Sequence, residues 1–188
     1  MNWTAIVPMK ASGKRKTRLS EHLCAIGREE LSENLFYHVV RTLQQCPSVT
    51  RLIILSDGPP LMGGVEWIAD EGRGLNVELQ SARAVIDAPI AIIHADLPLL
   101  EVADVEILLS AATVSGIAIA PDSHGRGTNA LAMRAQSAMM LAFGANSFEL
   151  HQAQAPNGMI ITGRQGLALD IDTVDDLDEA IRLGFSDK

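Results

Sequence analysis

The sequence predicts a single α/β domain, residues 1–188, built on a mostly parallel central sheet with helices on both faces. Short apolar runs without inside–outside alternation recur along the chain, as expected of strands that are buried on both sides. Helix-like segments separate these runs, and this order indicates βαβ units. A length of 188 residues suits one domain, which would bury about 70% of the surface of its unfolded chain.

Four strands and three helices are predicted in the first two thirds of the chain. The strands are 4–9, 51–56, 89–95 and 116–121. The helices are 28–46, 75–86 and 101–112. In the first helix Leu31, Leu35 and Val39 recur at four-residue intervals, as on the apolar face of an amphipathic helix. The Gly- and Pro-rich stretch 56–64 is a loop within this pattern.

The remaining third of the chain changes this order. A strand at 127–135, a short helix at 147–155, a strand at 166–172 and a closing helix at 173–184 are predicted there. Thr173 is a suitable N-cap for the closing helix, because acidic residues follow it in the first turn. Gly184 stands at the C-terminal end of that helix, where glycine is favoured.

Composition excludes several classes of function. A formal charge of −8 and a pI near 5.0 argue against a nucleic-acid-binding protein, which usually carries a basic face. Cys24 and Cys46 have no metal-ligand spacing and are expected to be reduced thiols. The first residues lack the pattern of a signal peptide, and no apolar run approaches the roughly 18 residues of a membrane span. We therefore expect a cytoplasmic protein without a membrane partner.

Ligands of open α/β sheets bind beyond the carboxyl ends of the strands, so the segments that follow the predicted strands are the candidate site. These segments are 10–18, 56–58, 94–98, 121–129 and 170–172. The first is strongly basic, with five of its nine residues Lys or Arg, although the chain has only 15 such residues. An acidic protein that concentrates its positive charge at one strand end is expected to bind an anion there.

Lys10 and Arg18 bracket the small residues 11–13 at a strand-to-helix junction. Backbone N–H groups in such a loop, flanked by cations, suit a phosphate group. The loop is neither a Walker A motif nor a dinucleotide G-x-G-x-x-G motif. For Lys14 and Arg15, a solvated surface run is an equally good interpretation.

Three aspartates are candidate Mg²⁺ ligands. Asp96 follows a buried strand, and Asp170 and Asp172 lie two residues apart, which places them on one side of the predicted strand 166–172. Mg²⁺ prefers one or two protein carboxylates and completes its shell with phosphate oxygens and water. The alternatives are a turn-forming role for Asp96 and a helix-start role for Asp172.

Other chemistries find little support. His94, His124 and His151 lack zinc-ligand spacing, and the chain has no G-x-S-x-G elbow or recognisable cysteine nucleophile. Cations and carboxylates without a dedicated nucleophile favour phosphoryl or nucleotidyl transfer, in which positioning and charge neutralisation supply most of the catalysis.

Six segments in chain order resemble one known family. They are VPMK…KTRLS, DEGRGLN (70–76), HADLP (94–98), GRGTNAL (125–131), FGANSFELH (143–151) and LALDIDTVDDL (167–177). Together they are similar to the 2-phospholactate, phosphoenolpyruvate or 3-phosphoglycerate guanylyltransferase family of deazaflavin coenzyme F-420 biosynthesis. The resemblance spans nearly the whole chain and implies the GT-A-like, Rossmann-like nucleotidyltransferase fold. The glycine-rich L-A-G-G loop found in many members of the wider superfamily is missing.

The resemblance implies a reaction in which the phosphate of a small acid attacks the α-phosphorus of GTP, the co-substrate, and pyrophosphate leaves. It implies Mg²⁺ as cofactor and matches the family aspartates to Asp96 and Asp170, while whether Asp170, Asp172 or both bind the metal stays open. Catalytic roles fall on Lys10 and Arg18, and Thr17 replaces the usual Ser in this loop. The implied nucleotide-binding residues are Pro8, Lys10, Lys16, Arg18, Asp57, Gly74 and Asn76. The implied acid-binding residues are Thr128, Asn129, Gly144 and Ser147, the last at the start of a helix.

Two other functions remain open at this point. Asp170 and Asp172 mimic the D-x-D motif of GT-A glycosyltransferases, although that motif usually follows a mid-chain strand and here begins 19 residues from the end. A non-catalytic GTP-binding module is the second alternative. The sequence does not select among the phospho-acids, assign a role to Arg126 or decide between a monomer and a homodimer.

Overall fold

A computed structural model describes residues 1–9, 16–135 and 137–186, and of Thr17 it describes the backbone only. The strands in these ranges are β1 Trp3–Pro8, β2 Val49–Ser56, β3 Glu66–Ala69, β4 Ile90–Ile93, β5 Ile117–Pro121, β6 Thr128–Met133 and β7 Met159–Ile160. The helices are α1 Ala25–Gln44, α2 Leu75–Ala84, α3 Val102–Ser115, α4 Ser147–Gln154, α5 Gln165–Ala168 and α6 Val174–Arg182, with a 3₁₀ turn at Thr17–Leu19. None of the helices within the described ranges has the length and apolar character needed to cross a bilayer.

The strands form one sheet in the order β3-β2-β1-β4-β6-β5-β7. Only β6 among these strands runs against its neighbours, β4 and β5, while the other pairs are parallel. The predicted mostly parallel sheet is therefore confirmed. Because β6 is reversed, its first residues lie beside the end of β4, where the His94 N–H donates to the Asn129 carbonyl at 2.9 Å. We call this side of the sheet the carboxyl edge.

The two faces of the sheet bury side chains of different size. One face presents mainly alanines to α1, α3 and α5, including Ala5, Ala91 and Ala132. The other presents larger residues such as Ile6, Ile92 and Leu131 to α2, α4 and the segment 139–143. Small side chains on the first face leave its core volume to the leucines, valines and phenylalanine of the helices. The prediction of helices on both faces is confirmed.

A third cluster brings the C-terminal segment back to the carboxyl edge. Ile171 is fully buried against Leu31 and Leu35 of α1 and Ala180 of α6. The helix α6 begins as predicted, because Thr173 accepts a hydrogen bond from the N–H of Asp176 and the Asp176 carboxylate accepts one from the N–H of Thr173. This capping box fixes the direction from which the preceding aspartates approach the sheet.

The predicted strand 166–172 is wrong. Residues Gln165–Ala168 form α5, and an irregular segment follows up to α6. The alternating apolar residues of this stretch are buried as in a strand, but Gly166 packs against α3 so closely that a Cβ there would lie 2.0 Å from Asp104 Oδ2. Arg164 holds the same buried carboxylate at 2.6 Å. These contacts to α3 replace the hydrogen bonds of a sheet ladder.

The pattern also missed β3 and β7, which are four and two residues long and therefore too short to show alternation. Both cysteines are free thiols, with Cys24 exposed and Cys46 buried. Burial raises the pKa of the Cys46 thiol to about 12.

Candidate active site

Three aspartates meet at the carboxyl edge. Asp96 lies in the turn after β4, and Asp170 and Asp172 lie in the irregular segment before α6. One carboxylate oxygen from each of the three lies within 4.8 Å of the others. The sequence predicted all three as metal ligands, and the structure brings them together although the strand that was expected to align two of them is missing.

Neighbouring elements hold these carboxylates in place. The Asn129 side chain, at the start of β6, donates to Asp170 Oδ1 at 3.1 Å and to the Ala168 carbonyl at 2.9 Å. The Asp172 N–H donates to the Asp176 carboxylate at 3.0 Å, which extends the α6 capping box by one residue. The Ile171 N–H donates to the Asp96 carbonyl at 3.2 Å and joins the two segments. Asn129 was expected to contact the acid substrate, and in the structure its side chain holds Asp170 in place.

The cluster carries an excess of negative charge at close range. Burial foremost, together with the nearby charges of Asp96 and Asp172, raises the pKa of Asp170 to about 6, against the hydrogen bond from Asn129 and the charge of Lys16. Such carboxylates are stabilised by a cation.

The ammonium group of Lys16 supplies a positive charge to this cluster of aspartates. Its Nζ lies 2.6 Å from Asp96 Oδ2 and 3.6 Å from Asp172 Oδ1, and it donates to the Ile171 carbonyl. The side chain is only 7% exposed. Burial opposes the charge on Lys16, but the three aspartates outweigh it, so the pKa of this ammonium is raised. The Lys16 backbone has a φ of 49°, a left-handed conformation that non-glycine residues seldom adopt.

This donor set fits Mg²⁺. The candidate ligands are hard carboxylate oxygens from three residues, close enough to share one ion, and a cationic group already binds among them. Arg18 lies at the outer side of the cluster, with Nη1 3.6 Å from Asp172 Oδ2 and its side chain 72% exposed. Lys10, Lys14 and Arg15 fall outside the described residues, while Pro8 ends β1 beside the site.

A second predicted nucleotide-binding element is the loop before α2. Gly74 has a φ of 103° and precedes the helix. Glu78 is only 1% exposed and organises the loop. Its carboxylate accepts hydrogen bonds from the N–H groups of Glu71 and Arg73, and it forms an ion pair with the Arg73 guanidinium at 2.7 Å. These hydrogen bonds, that of the Arg73 side chain foremost, lower the pKa of Glu78 to about 2. Sequence reasoning missed Glu78, although an acid in the first turn after a glycine-rich loop was a usable signal.

Asn76 connects this loop to the predicted acid-binding segment. Its Oδ1 accepts from the Phe143 N–H at 2.7 Å, and its Nδ2 donates to the Phe143 carbonyl at 2.9 Å. Gly144 follows directly with a φ of 123°. Asn76 was predicted to contact nucleotide, and in the structure both polar atoms of its side chain bind backbone. Asp57, exposed after β2, lines a cavity of about 230 Å³ together with Met9.

Three of the four predicted acid-binding residues, Thr128, Gly144 and Ser147, lie at or beside α4. Ser147 begins this helix, as expected, and is 1% exposed, while Asn146 before it has a left-handed φ of 56°. The Phe148 N–H donates to the Arg126 carbonyl at 3.1 Å and joins α4 to the loop before β6. Thr128, also buried, lies 3.0 Å through its Oγ1 from Nδ1 of His151. The Arg126 side chain is exposed.

A register shift between β5 and β6 directs Thr128 toward α4. Pro121 pairs with Thr128 while Ala120 pairs with Ala130, so Asn129 is the extra residue of a bulge. Ordinary alternation would place Thr128 on the same face as Ala130, which packs against the other layer of helices. The bulge therefore decides which of the two adjacent residues faces α4 and which faces the segment that carries Asp170.

These features define the class of the protein. An open α/β sheet that gathers carboxylates and cations at its carboxyl edge, with buried hydroxyls at a helix start beside them, is the arrangement of a nucleotidyltransferase. Comparison with known proteins agrees. The model of the family described as "Guanylyl transferase CofC like" matches residues 3–188, and the chain belongs to that family.

The similarity to named relatives extends over almost the full length of this chain. The phosphoenolpyruvate guanylyltransferase of Sphaerobacter thermophilus is 36% identical over 192 residues, covering 95% of this chain and 92% of that protein. The enzyme of the same name from Streptomyces coelicolor is 33% identical over 195 residues, covering 98% and 92%. A crystal structure from Desulfovibrio desulfuricans, described as a nucleotide-diphospho-sugar transferase, superposes with a TM-score of 0.72 at 20% identity over 97% of this chain and 88% of that one. The last similarity shows the fold alone.

Proposed function

We propose that this guanylyltransferase transfers GMP from GTP to the phosphate of phosphoenolpyruvate and releases pyrophosphate, with Mg²⁺ as cofactor. The observation that carries the proposal is the cluster of Asp96, Asp170 and Asp172 around the Lys16 ammonium at the carboxyl edge. The names of the relatives support phosphoenolpyruvate as the acid. A place in deazaflavin coenzyme F-420 biosynthesis follows from the resemblance, which also admits 2-phospholactate and 3-phosphoglycerate.

In this reaction a phosphate oxygen of the acid attacks the α-phosphorus of GTP. The bond from that phosphorus to the oxygen that bridges it to the β-phosphate breaks, and pyrophosphate leaves with the electron pair. Bound Mg²⁺ would neutralise phosphate charge, held by Asp96 and Asp170 with Asp172 as the third candidate ligand. No side chain has to act as nucleophile, because the acid substrate supplies the attacking oxygen.

The residues of the chain would position and neutralise the two anions. Lys16 and the exposed guanidinium of Arg18 would contact the triphosphate, and Lys10 keeps the catalytic role that the resemblance implies. On the other side, Thr128 and Ser147 would hold the acid, aided by N–H groups at the start of α4.

Pyrophosphate release tests this function. The purified chain is incubated with Mg²⁺, GTP and one acid at a time, and with ATP, CTP or UTP in place of GTP as controls. We expect release with GTP and phosphoenolpyruvate above the other pairs, and a product whose mass equals the acid plus a guanylyl group. GTP binding without release for any acid would favour the non-catalytic module, and hydrolysis of UDP-sugars would favour the glycosyltransferase.

A further inference from the structure

His151 is a fully buried histidine whose two ring nitrogens are both engaged. The backbone N–H of Ala142 donates to Nε2 at 3.0 Å, and Nδ1 lies 3.0 Å from the Thr128 hydroxyl oxygen. A backbone N–H can only donate, so Nε2 must carry the lone pair. In the neutral ring the proton is then on Nδ1, and Nδ1 donates to Thr128. The direction of this hydrogen bond follows from the backbone contact on the far side of the ring.

The surroundings of the ring keep it neutral. Burial foremost, together with the neighbouring His94, lowers the pKa of His151 to about 4. The Phe143 ring packs edge-on against His151 with centroids 4.9 Å apart, and Asn76 holds the Phe143 backbone from both sides. Tautomer and ring orientation are therefore set by the fold.

This direction decides what the Thr128 hydroxyl can do. Since its oxygen accepts from His151, its own proton is directed to another acceptor. The same geometry argues against a threonine nucleophile activated by histidine, because a ring nitrogen that donates cannot remove the hydroxyl proton. Ser147 lies one turn before His151 on the same face of α4 and is also buried.

We propose that His151 is a positioning residue that orients the Thr128 hydroxyl as a hydrogen-bond donor to an anionic oxygen of the phospho-acid. This inference rests on the proposed function, because it assigns Thr128 to the acid substrate. His151 itself touches no substrate and acts through Thr128. Its effect should therefore fall on the acid and leave GTP unaffected.

Two amide substitutions separate the two ring nitrogens. His151→Asn places its amide N–H near the position of Nδ1 and can still donate to Thr128, but it loses the contact to Ala142. His151→Gln reaches toward Ala142 and loses the donor to Thr128. We expect His151→Gln to raise the KM for phosphoenolpyruvate about tenfold or more, the scale of a hydrogen bond to a charged group, with the KM for GTP within about twofold. For His151→Asn we expect a phosphoenolpyruvate KM within about threefold of the parent.

Thr128→Val provides the second half of the test. It should raise the same KM by a similar factor, and the double variant Thr128→Val, His151→Gln should show no further rise, since one interaction cannot be lost twice. Gln152→Ala, at the exposed neighbour on α4, is the matched control and should leave both KM values unchanged. Equal KM changes for the Asn and Gln variants that follow their melting temperatures would overturn the proposal and leave His151 a packing residue.

A readout without substrate distinguishes this inference from the proposed function. ¹⁵N NMR of the His151 ring should show a protonated Nδ1 and an unprotonated Nε2, and Thr128→Val should shift the Nδ1 resonance more than the Nε2 resonance. A proton on Nε2 would refute the inference whatever the activity. If the parent protein releases no pyrophosphate with any acid, the function fails while the NMR result still decides the hydrogen-bond direction.

Discussion

At the level of single residues, Asp96 makes both a side-chain and a main-chain contact at the carboxyl edge. Its carboxylate is the nearest carboxylate to the Lys16 ammonium, and its backbone carbonyl accepts a hydrogen bond from the N–H of Ile171. The side chain of Asp96 thus takes part in the aspartate cluster, and its main chain stabilises the fold. A substitution that keeps its shape separates the two roles.

Asp96→Asn should keep the fold and lose most turnover. We expect kcat to fall at least about 100-fold, or roughly 2.7 kcal/mol, the scale of one electrostatic element in a transition state. Pyrophosphate release at saturating GTP and acid measures the effect. Asp178→Asn, at an exposed position of α6, is the control that should retain full activity. Turnover of the Asp96 variant within threefold of the parent would exclude Asp96 from the site.

At the level of elements, the loop before α2 depends on one buried acid. Glu78 accepts hydrogen bonds from four donors of a loop that contains Gly72 and Gly74, both with positive φ. Glycine gives this loop the freedom to adopt its turn, and the carboxylate selects the turn that it adopts. The loop is a nucleotide-binding prediction, so its order should affect GTP.

Glu78→Gln should lower the melting temperature in a pH-dependent way. Its pKa is lowered from 4.5 to about 2 in the folded protein, so its ionised form stabilises the fold above about pH 4.5. That contribution is lost as pH falls from about 4.5 toward 2, and the difference between variant and parent should narrow over this range. We expect the full difference at pH 7, together with a higher KM for GTP. Glu30→Gln, exposed on α1, should match the parent.

A difference in melting temperature that stays constant from pH 7 to pH 3 would contradict the role of the charge. Equal KM values for GTP would mean that the loop stabilises the fold without reaching the nucleotide.

Sequence reasoning reached the elements with strong periodicity and the residues at strand ends. Asp96 was found because a buried strand ends before it, and Thr173 because a cap followed by acids is a local signal. The direction of β6 was beyond reach, since an apolar strand reads the same in a parallel or an antiparallel neighbourhood. The strand predicted at 166–172 failed because its alternation reflects burial against α3 and α1, which only the tertiary structure reveals.

The contacts of Lys16 and His151 lay outside sequence reasoning for a related reason. Lys16 was one of five basic residues among the nine residues 10–18, and only folding shows that it enters the aspartate cluster. His151 lacked metal spacing and was set aside, although it lies four residues after Ser147 and so shares its helix face. In both cases the informative partner is more than 20 residues distant in sequence: Asp96 for Lys16 and Thr128 for His151.

At the level of the whole molecule, the three aspartates and their partner Lys16 form one group. Its residues, 16, 96, 170 and 172, come from both ends and from the middle of the chain. The group exists only when α6, the sheet and the 3₁₀ turn are all in place. A ligand that binds it should therefore stabilise the complete fold.

GTP with Mg²⁺ should raise the melting temperature in one cooperative transition. At a GTP concentration 100 times its Kd the expected stabilisation is about 2.7 kcal/mol. Differential scanning fluorimetry with Mg²⁺ or with EDTA measures the metal-dependent part, which Asp96→Asn should lose and Asp178→Asn should keep. An equal shift with EDTA would place GTP binding apart from the aspartates.

The bulge at Asn129 has a consequence for how such enzymes diversify. Thr128 contacts His151 on α4, and Asn129 donates a hydrogen bond to Asp170 in the segment before α6. Under the proposed function, changes in α4 and in the residues around Gly144 would alter acid recognition while the residues that hold the nucleotide stay unchanged. The choice of acid would then evolve independently of guanylyl transfer.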